Sequence, residues 1–189
     1  MAGKIIIISA PSGCGKSTII NALIQRGVDM CFSISATSRE PRRGETDGVH
    51  YYFLTPAEFR ARINDNLFVE YEEVYPGRFY GTLKSEIQRI TEAGHNVVLD
   101  IDVAGAMNVK RIYGDRALTL FIMPPSVDEL RRRLECRATD SPEVIEQRVG
   151  KAEQEISFAP RFQKVVVNDN LDKAVDEAEK AIVDFITGR

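Results

Sequence analysis

Cysteine is scarce in this chain of 189 residues: Cys14, Cys31 and Cys136 lie far apart and are odd in number. That argues against a disulfide framework and against a zinc site. A dominant charge of one sign is missing too. The formal net charge of -3 creates no general field for holding nucleic acid, so no nucleic-acid partner is expected. No apolar run approaches the roughly 20 residues of a membrane span. Ile5 to Ile8 is too short for a signal peptide and gives way at once to turn residues. No membrane association is expected, and a cytoplasmic location follows as the default. Internal repeats and low-complexity segments are absent. The composition, 43% hydrophobic and 28% charged, suits one compact core with insertions and is marginal for two domains.

What is present is organised around Ile5 to Thr18, IIIISAPSGCGKST. Four consecutive isoleucines form a β-branched run suited to a strand buried on both faces. Ser9, Ala10, Pro11, Ser12 and Gly13 then read as a turn, and Cys14 lies inside the loop. Gly15, Lys16, Ser17 and Thr18 open a segment with helical spacing. A strand, a glycine-bearing loop and a helix N-terminus make a phosphate cradle, with backbone N–H groups and the helix dipole aimed at anionic oxygens. Lys16 is placed to meet β- and γ-phosphates, and Ser17 to offer a hydroxyl to Mg²⁺. Ala10 stands where the strict pattern has glycine. The Cys14 thiol has two readings, an acidified and oxidisable group or a small filler.

Downstream, buried-type strands alternate with helices. Strands are expected at Cys31 to Ser35, Val49 to Leu54, Leu67 to Tyr75, Asn96 to Ile101, Ala117 to Met123 and Lys164 to Val167. Thr55, Pro56 and Glu58 form a helix start, as do Ser126 with Glu129 and Ser141 with Pro142. Ala36 to Gly48 reads as a polar loop, Gly77 to Gly81 as a turn, and Thr82 as the cap of the next helix. In the first helix Ile20, Leu23 and Ile24 share the sheet-facing side, and in the last Ala174, Val175, Ala178, Ile182 and Phe185 share one. The fold class is therefore α/β: a phosphate-loop parallel sheet with helices on both faces. Two segments break the alternation, one rich in strands and aromatics, one helical and rich in arginine.

Three further pieces carry chemistry. Val97 to Asp102, VVLDID, is an apolar strand ending in carboxylates, and beside a phosphate loop Asp100 suits Mg²⁺. Arg39, Arg42 and Arg43 are either a solvated loop or forks for a second phosphate. Arg131, Arg132, Arg133, Arg137 and Arg148 lie on helices and at that spacing cannot all face one point.

At this point the whole chain resembles a guanylate kinase. The matching runs are SAPSGCGKST, SREPRRGETDGVHYYF, FVEYEEV, YGT, LDID, MPPS, RRLECRATD and VVNDNL, in the family's order. The resemblance implies a core (1–35, 84–125 and 158–189), a GMP-binding insertion (36–83) and a mobile helical lid (126–157). It implies transfer of the γ-phosphoryl of ATP to GMP, with Mg²⁺ as cofactor. Ala10 to Thr18 would bind the ATP phosphates, and Asn168 would lie near the adenine. Ser35, Arg39, Arg42, Tyr51 and Tyr80 would hold the GMP phosphate. Glu70, Thr82 beside Gly81, and Asp102 would read the guanine. Ser17 and Asp100 would serve the metal. Lys16 and the lid residues Arg133, Arg137 and Arg148 would stabilise the moving phosphoryl group. His50 and His95 need no catalytic role. The chain departs from the family at Ala104, often Gln, and at Cys136, Arg137 and Ala138, where the lid usually reads Gly-Arg-Gly. It also carries about one extra residue between Glu70 and Tyr80. Two other readings stay open: a catalytically silent interaction module of the same fold, and a kinase for another nucleoside monophosphate. Oligomeric state is not legible.

Overall fold

The structure, a computed structural model, describes residues 2–136 and 141–189. In chain order the elements are β1 (Ile5–Ser9), α1 (Lys16–Gln25), β2 (Cys31–Phe32), β3 (Ala36–Thr37), β4 (Tyr52–Phe53), α2 (Pro56–Asn64), β5 (Phe68–Tyr75), β6 (Arg78–Leu83), α3 (Lys84–Glu92), β7 (Val97–Asp100), α4 (Val103–Tyr113), β8 (Ala117–Met123), α5 (Val127–Cys136), α6 (Pro142–Ile156), β9 (Lys164–Val167) and α7 (Leu171–Thr187). A five-stranded sheet has the order β2-β7-β1-β8-β9, and a four-stranded one the order β4-β3-β6-β5. The β2–β7 and β8–β9 pairs are parallel, with Cys31 opposite Val97 and Met123 opposite Val167. Among the described residues no helix is long and apolar enough to cross a membrane. The chain divides into two compact units, one of Ile6–Asp29, Asp100–Ala106 and the described part of Leu118–Arg189, the other of Met30–Leu99, Met107–Ala117 and the chain start to Ile5.

In the first unit Ile6, Ile7 and Ile8 of the isoleucine run are buried, as is β8 from Leu118 to Ile122. Burial on both faces is what a continuous β-branched run predicts. Ser126 caps α5, its hydroxyl accepting from the Glu129 N–H at 3.0 Å. Asn170 caps α7, which buries Ala174, Val175, Ala178, Ala181 and Ile182 and stops at Gly188, where φ is 75°. In α1 the buried face is Ile19, Ile20 and Leu23, while Ile24 is exposed. The face is thus rotated by one residue from the expected one.

The second unit is built on the four-stranded sheet. Ala36, Phe59, Phe68, Phe79 and Leu83 form its core, with Phe59 stacked on Phe68 at 4.3 Å and on Phe79 at 5.3 Å. The Thr55–Pro56–Glu58 start of α2 is a full capping box. Two expectations fail here. Ala36 and Thr37 are a buried central strand, not loop, and 78–83 is a strand in which Thr82 is buried and caps nothing. The reason is polar satisfaction. The Thr37 hydroxyl donates to the Phe79 carbonyl at 3.0 Å and the Ser38 hydroxyl to the Gly77 carbonyl at 2.9 Å. Hydroxyls bonded to the neighbouring strand can be buried at little cost, so a polar run hides a strand. The strands at 31–35 and 49–54 shrink to two residues each, and β5 buries only Phe68 and Val69, because it is an edge strand.

Glu86 is the second unit's buried acid, its side chain 1% exposed. It accepts from the Ile34 N–H at 3.1 Å, from the Tyr52 hydroxyl at 2.9 Å and from Arg89. Burial pushes its carboxyl up, but the Arg89, Ile34 and Tyr52 bonds outweigh that and hold it below its ordinary 4.5. A depressed folded-state value contributes stability that is present above the unfolded value and lost as pH falls through the folded one. Glu86→Gln should therefore lower the urea midpoint at neutral pH, by about 1–3 kcal/mol of stability. The gap to the parent protein should narrow below pH 4.5. A gap independent of pH would show that the charge contributes nothing.

Candidate active site

The loop after β1 is shaped by two glycines in the left-handed region, Gly13 with φ 95° and Gly15 with φ 83°. A Cβ on Gly13 would also meet the Leu134 side chain at 2.9 Å. The Cys14 N–H turns back to the Pro11 carbonyl at 3.2 Å, and α1 begins at Lys16 with no side-chain cap and no acid in its first turn. Its leading N–H groups and dipole are left to an anion. A cleft of about 460 Å³ opens here, lined by the loop, by Lys16, Ser17 and Thr18, and by Asp100, Asp102 and Glu155. Lys16 pairs with Asp100 inside it. Asp102 is also the cap of α4, its Oδ1 accepting from the Gly105 N–H at 2.7 Å. The Cys14 thiol faces inward at 0% exposure, and burial, against the nearby Arg133, pushes its pKa up to about 12. It is a small filler and not an acidified thiol.

Ser17 and Asp100 both open onto the cleft. A hydroxyl and a carboxylate suit a hard cation that keeps much of its water. Among the described residues no group of three or more His, Cys, Asp or Glu could cage a metal. A cation there would complete its shell from water and phosphate oxygens.

A second cleft of about 360 Å³ shares Gly13, Gly15 and Thr18 with the first and adds Arg132, Arg133, Cys136, Asn168 and Leu171. Arg133 donates to the Glu129 carboxylate at 2.8 Å and to the Asn168 main-chain carbonyl at 2.9 Å. With Arg132 also bound, Glu129 is held at about 2. Arg148 sits half-buried on α6 and lines neither cleft, and Arg137 lies outside the described residues.

In the other unit the arginine segment folds on itself. Arg39 gives both terminal nitrogens to Glu45, at 2.6 and 2.7 Å, and its Nε–H to the Tyr80 hydroxyl at 3.2 Å. Its guanidinium lies over the Tyr51 ring at 5.0 Å, and Tyr51 packs edge-on against Tyr80 at 6.0 Å. The Arg42 N–H also donates to Glu45, at 2.7 Å. These bonds, Arg39 first, hold the Glu45 carboxyl at about 2. Ser35 is half-buried, and its carbonyl accepts from the Tyr52 N–H at 2.9 Å. On the neighbouring hairpin Glu70 stands opposite Thr82 and Glu72 opposite Tyr80. Register shifts flank this stretch, one of them between Glu73 and Tyr75. The other lies between Phe68 and Glu70, so each end of the Glu70–Glu73 stretch carries an irregularity in the ladder. Gly81 allows the close approach: a Cβ there would lie 2.7 Å from the Glu70 carbonyl oxygen.

The family model described as guanylate kinase matches residues 2–185. The chain belongs to the guanylate kinase family. It is 60% identical over 183 residues to the guanylate kinase of Bacteroides fragilis, covering 97% of this chain and 90% of that protein. Its identity to the guanylate kinase of Porphyromonas gingivalis is 58% over 184 residues, covering 97% and 98%. Among solved structures it is similar to the guanylate kinase of Anaplasma phagocytophilum, at 29% identity and a TM-score of 0.74, covering 98% of this chain and 87% of that one.

Within this guanylate kinase fold the residues read from the sequence fall into separate groups. Lys16, Ser17, Asp100 and Asp102 gather at the loop. Arg133 and Asn168 gather beside it. Arg39, Tyr51 and Tyr80 form one cluster, and Glu70, Gly81 and Thr82 one hairpin. Three acids take parts that the sequence motifs do not express. Glu45 holds the arginine fork, Glu129 holds Arg133 as well as starting α5, and Glu155 lines the first cleft. A signal existed for the first, since an acid a few residues after an arginine on a turn-rich loop can close back on it.

Proposed function

We propose that this guanylate kinase transfers the γ-phosphoryl group of ATP to GMP in the cytoplasm, at a core–insertion–lid arrangement with the boundaries given above. The supporting observation is that one chain holds two residue clusters of different construction, each with chemistry suited to an anion. One is the loop with Lys16, and the other is Arg39 with Tyr51 and Tyr80. The bond from the γ-phosphorus to its bridging oxygen breaks and its electron pair stays on ADP. A bond from a GMP phosphate oxygen to that phosphorus forms. That oxygen is already ionised, so no side chain has to act as a base. The work is positioning and charge stabilisation.

In this reading the loop N–H groups and Lys16 hold the β- and γ-phosphates. Ser17 and Asp100 would hold Mg²⁺, and the chemistry it would supply is positive charge beside the phosphates. Arg133, Arg137 and Arg148 add positive charge from the lid segment. Ser35, Arg39, Arg42, Tyr51 and Tyr80 take the GMP phosphate. With Glu45 on the two terminal nitrogens of Arg39 and its Nε–H on the Tyr80 hydroxyl, the hydroxyl hydrogen of Tyr80 is the donor this cluster would offer to that phosphate. Glu70 and Thr82, with Asp102, read the guanine. A product assay with GMP, AMP, CMP and UMP as acceptors tests the proposal. GDP should dominate, another diphosphate would reassign the acceptor, and no product would leave a silent interaction module.

The arginine assignment makes a narrower statement. Arg42→Lys keeps the charge and loses a fork, and Arg39→Lys keeps the charge but loses the two-pronged grip on Glu45 and the Nε–H bond to Tyr80. Each should raise KM for GMP, by about tenfold, before KM for ATP moves. Equal effects on both substrates, or none, would return this segment to a solvated loop.

A further inference from the structure

We infer that Asn168 is a positioning residue for the phosphate loop, fixing the Cys14–Gly15 peptide so that the Gly15 N–H faces the bound triphosphate. The inference rests on the reading of the loop as the ATP phosphate site. Asn168 follows β9 directly and is 6% exposed. Its main-chain N–H donates to the Met123 carbonyl at the end of β8, at 2.8 Å. Its main-chain carbonyl accepts from Arg133 on α5, at 2.9 Å. Its side-chain Nδ2 donates to the Cys14 carbonyl at 2.8 Å, in a buried bond. Asn168 is therefore tied to the sheet and to α5, and it passes that rigidity to the loop through one side-chain bond.

The bond matters because of what else belongs to that peptide. In a trans peptide the C=O and the next N–H point in opposite directions. Pulling the Cys14 oxygen inward toward Asn168 turns the Gly15 N–H outward. The loop's own hydrogen bonds use the Cys14 N–H and the Gly15 carbonyl, which accepts from Ile19 at 3.0 Å. Gly15 itself lines both clefts. A flipped peptide would present a carbonyl oxygen to the phosphates in place of an N–H, reversing the sign of the local potential. Close packing supports the same role. A Cβ on Gly15 would lie 2.6 Å from Asn168 Nδ2, so the amide rests directly against the loop backbone. An amide spent in this way acts on phosphate whatever base the nucleotide carries, unlike a contact to adenine.

The two roles separate by ligand. The unaltered protein, Asn168→Ala and Asn168→Asp are titrated by calorimetry with ATP, with inorganic tripolyphosphate, each with Mg²⁺, and with GMP. Asn168→Ala should weaken ATP and tripolyphosphate by the same factor, about tenfold, and leave GMP unchanged. Asn168→Asp, which sets a carboxylate against the Cys14 carbonyl, should weaken both further. Tripolyphosphate binding that is unchanged in Asn168→Ala, whether or not ATP weakens, overturns the inference. Should the variants not fold, the Gly15 amide proton of the ¹⁵N-labelled unaltered protein decides the matter. It should move downfield when tripolyphosphate is added, and an unmoved resonance overturns the inference. None of these measurements needs turnover, so an inactive protein would sink the proposed reaction and leave this test standing.

Discussion

Lys16→Ala should lower turnover by about 10³-fold or more while GMP affinity, measured by calorimetry, stays within about twofold. Lys16 lies at the start of α1, where its ammonium and the first N–H groups of the helix converge on the cleft. Removing it takes away the lysine charge of the loop and spares the arginine cluster of the other unit. Its partner in the structure is Asp100, whose side chain is 32% exposed. A carboxylate so open to water tolerates losing its ion pair, and the thermal midpoint should barely change. That distinguishes a chemical loss from an unfolded variant. Near-normal turnover, or a parallel collapse of GMP binding, would remove Lys16 from the proposed role.

Much of this site is readable in the chain because its parts are local. A β-branched run, a glycine loop and GKS lie within fourteen residues, and each signal reinforces the next. The α2 capping box is equally local, complete within Thr55 to Glu58. Lys164–Val167 reads correctly as a strand because glutamine and asparagine bound an unbroken apolar core.

The parts that stay hidden depend on partners distant in sequence. Thr37 and Ser38 look like loop residues until the Phe79 and Gly77 carbonyls arrive to satisfy them. Thr82 resembles a helix cap because a hydroxyl precedes a helical segment, yet pairing with Glu70 across the hairpin draws it into a strand. Tertiary pairing overrides local preference there. Cys14 is a loop residue by its neighbours and a core residue by its 0% exposure, and the second decides its chemistry. Asn168 acts on a loop 154 residues away, a relation no spacing rule can express.

The base preference makes the sharpest expectation. Guanine presents two adjacent donors, N1–H and the 2-amino group, and one acceptor, O6. A carboxylate only accepts, and can take both donors in parallel. Glu70 is half-buried on β5, while Glu72 and Glu73 on the same strand are exposed. Thr82, directly opposite, is buried to 1% and could donate to O6. A solvated edge acid would share the exposure of its neighbours, and Glu70 does not. Adenine carries a lone pair at N1 and no 2-amino group, so AMP would desolvate the carboxylate without pairing it. Sites of this kind discriminate by roughly 10⁴-fold. The unaltered protein should therefore prefer GMP over AMP by about that factor in kcat/KM. In Glu70→Ala the preference should collapse to about tenfold or less, because the acceptor for the two guanine donors is gone, while AMP had no such donors to lose. Glu70→Gln should fall between, since its amide can accept one guanine donor but opposes the second with a donor of its own. Both nucleotides are measured on all three proteins at saturating ATP. If Glu70→Ala retains the full preference, the base is read elsewhere, and Glu70 returns to an ordinary acid on an edge strand.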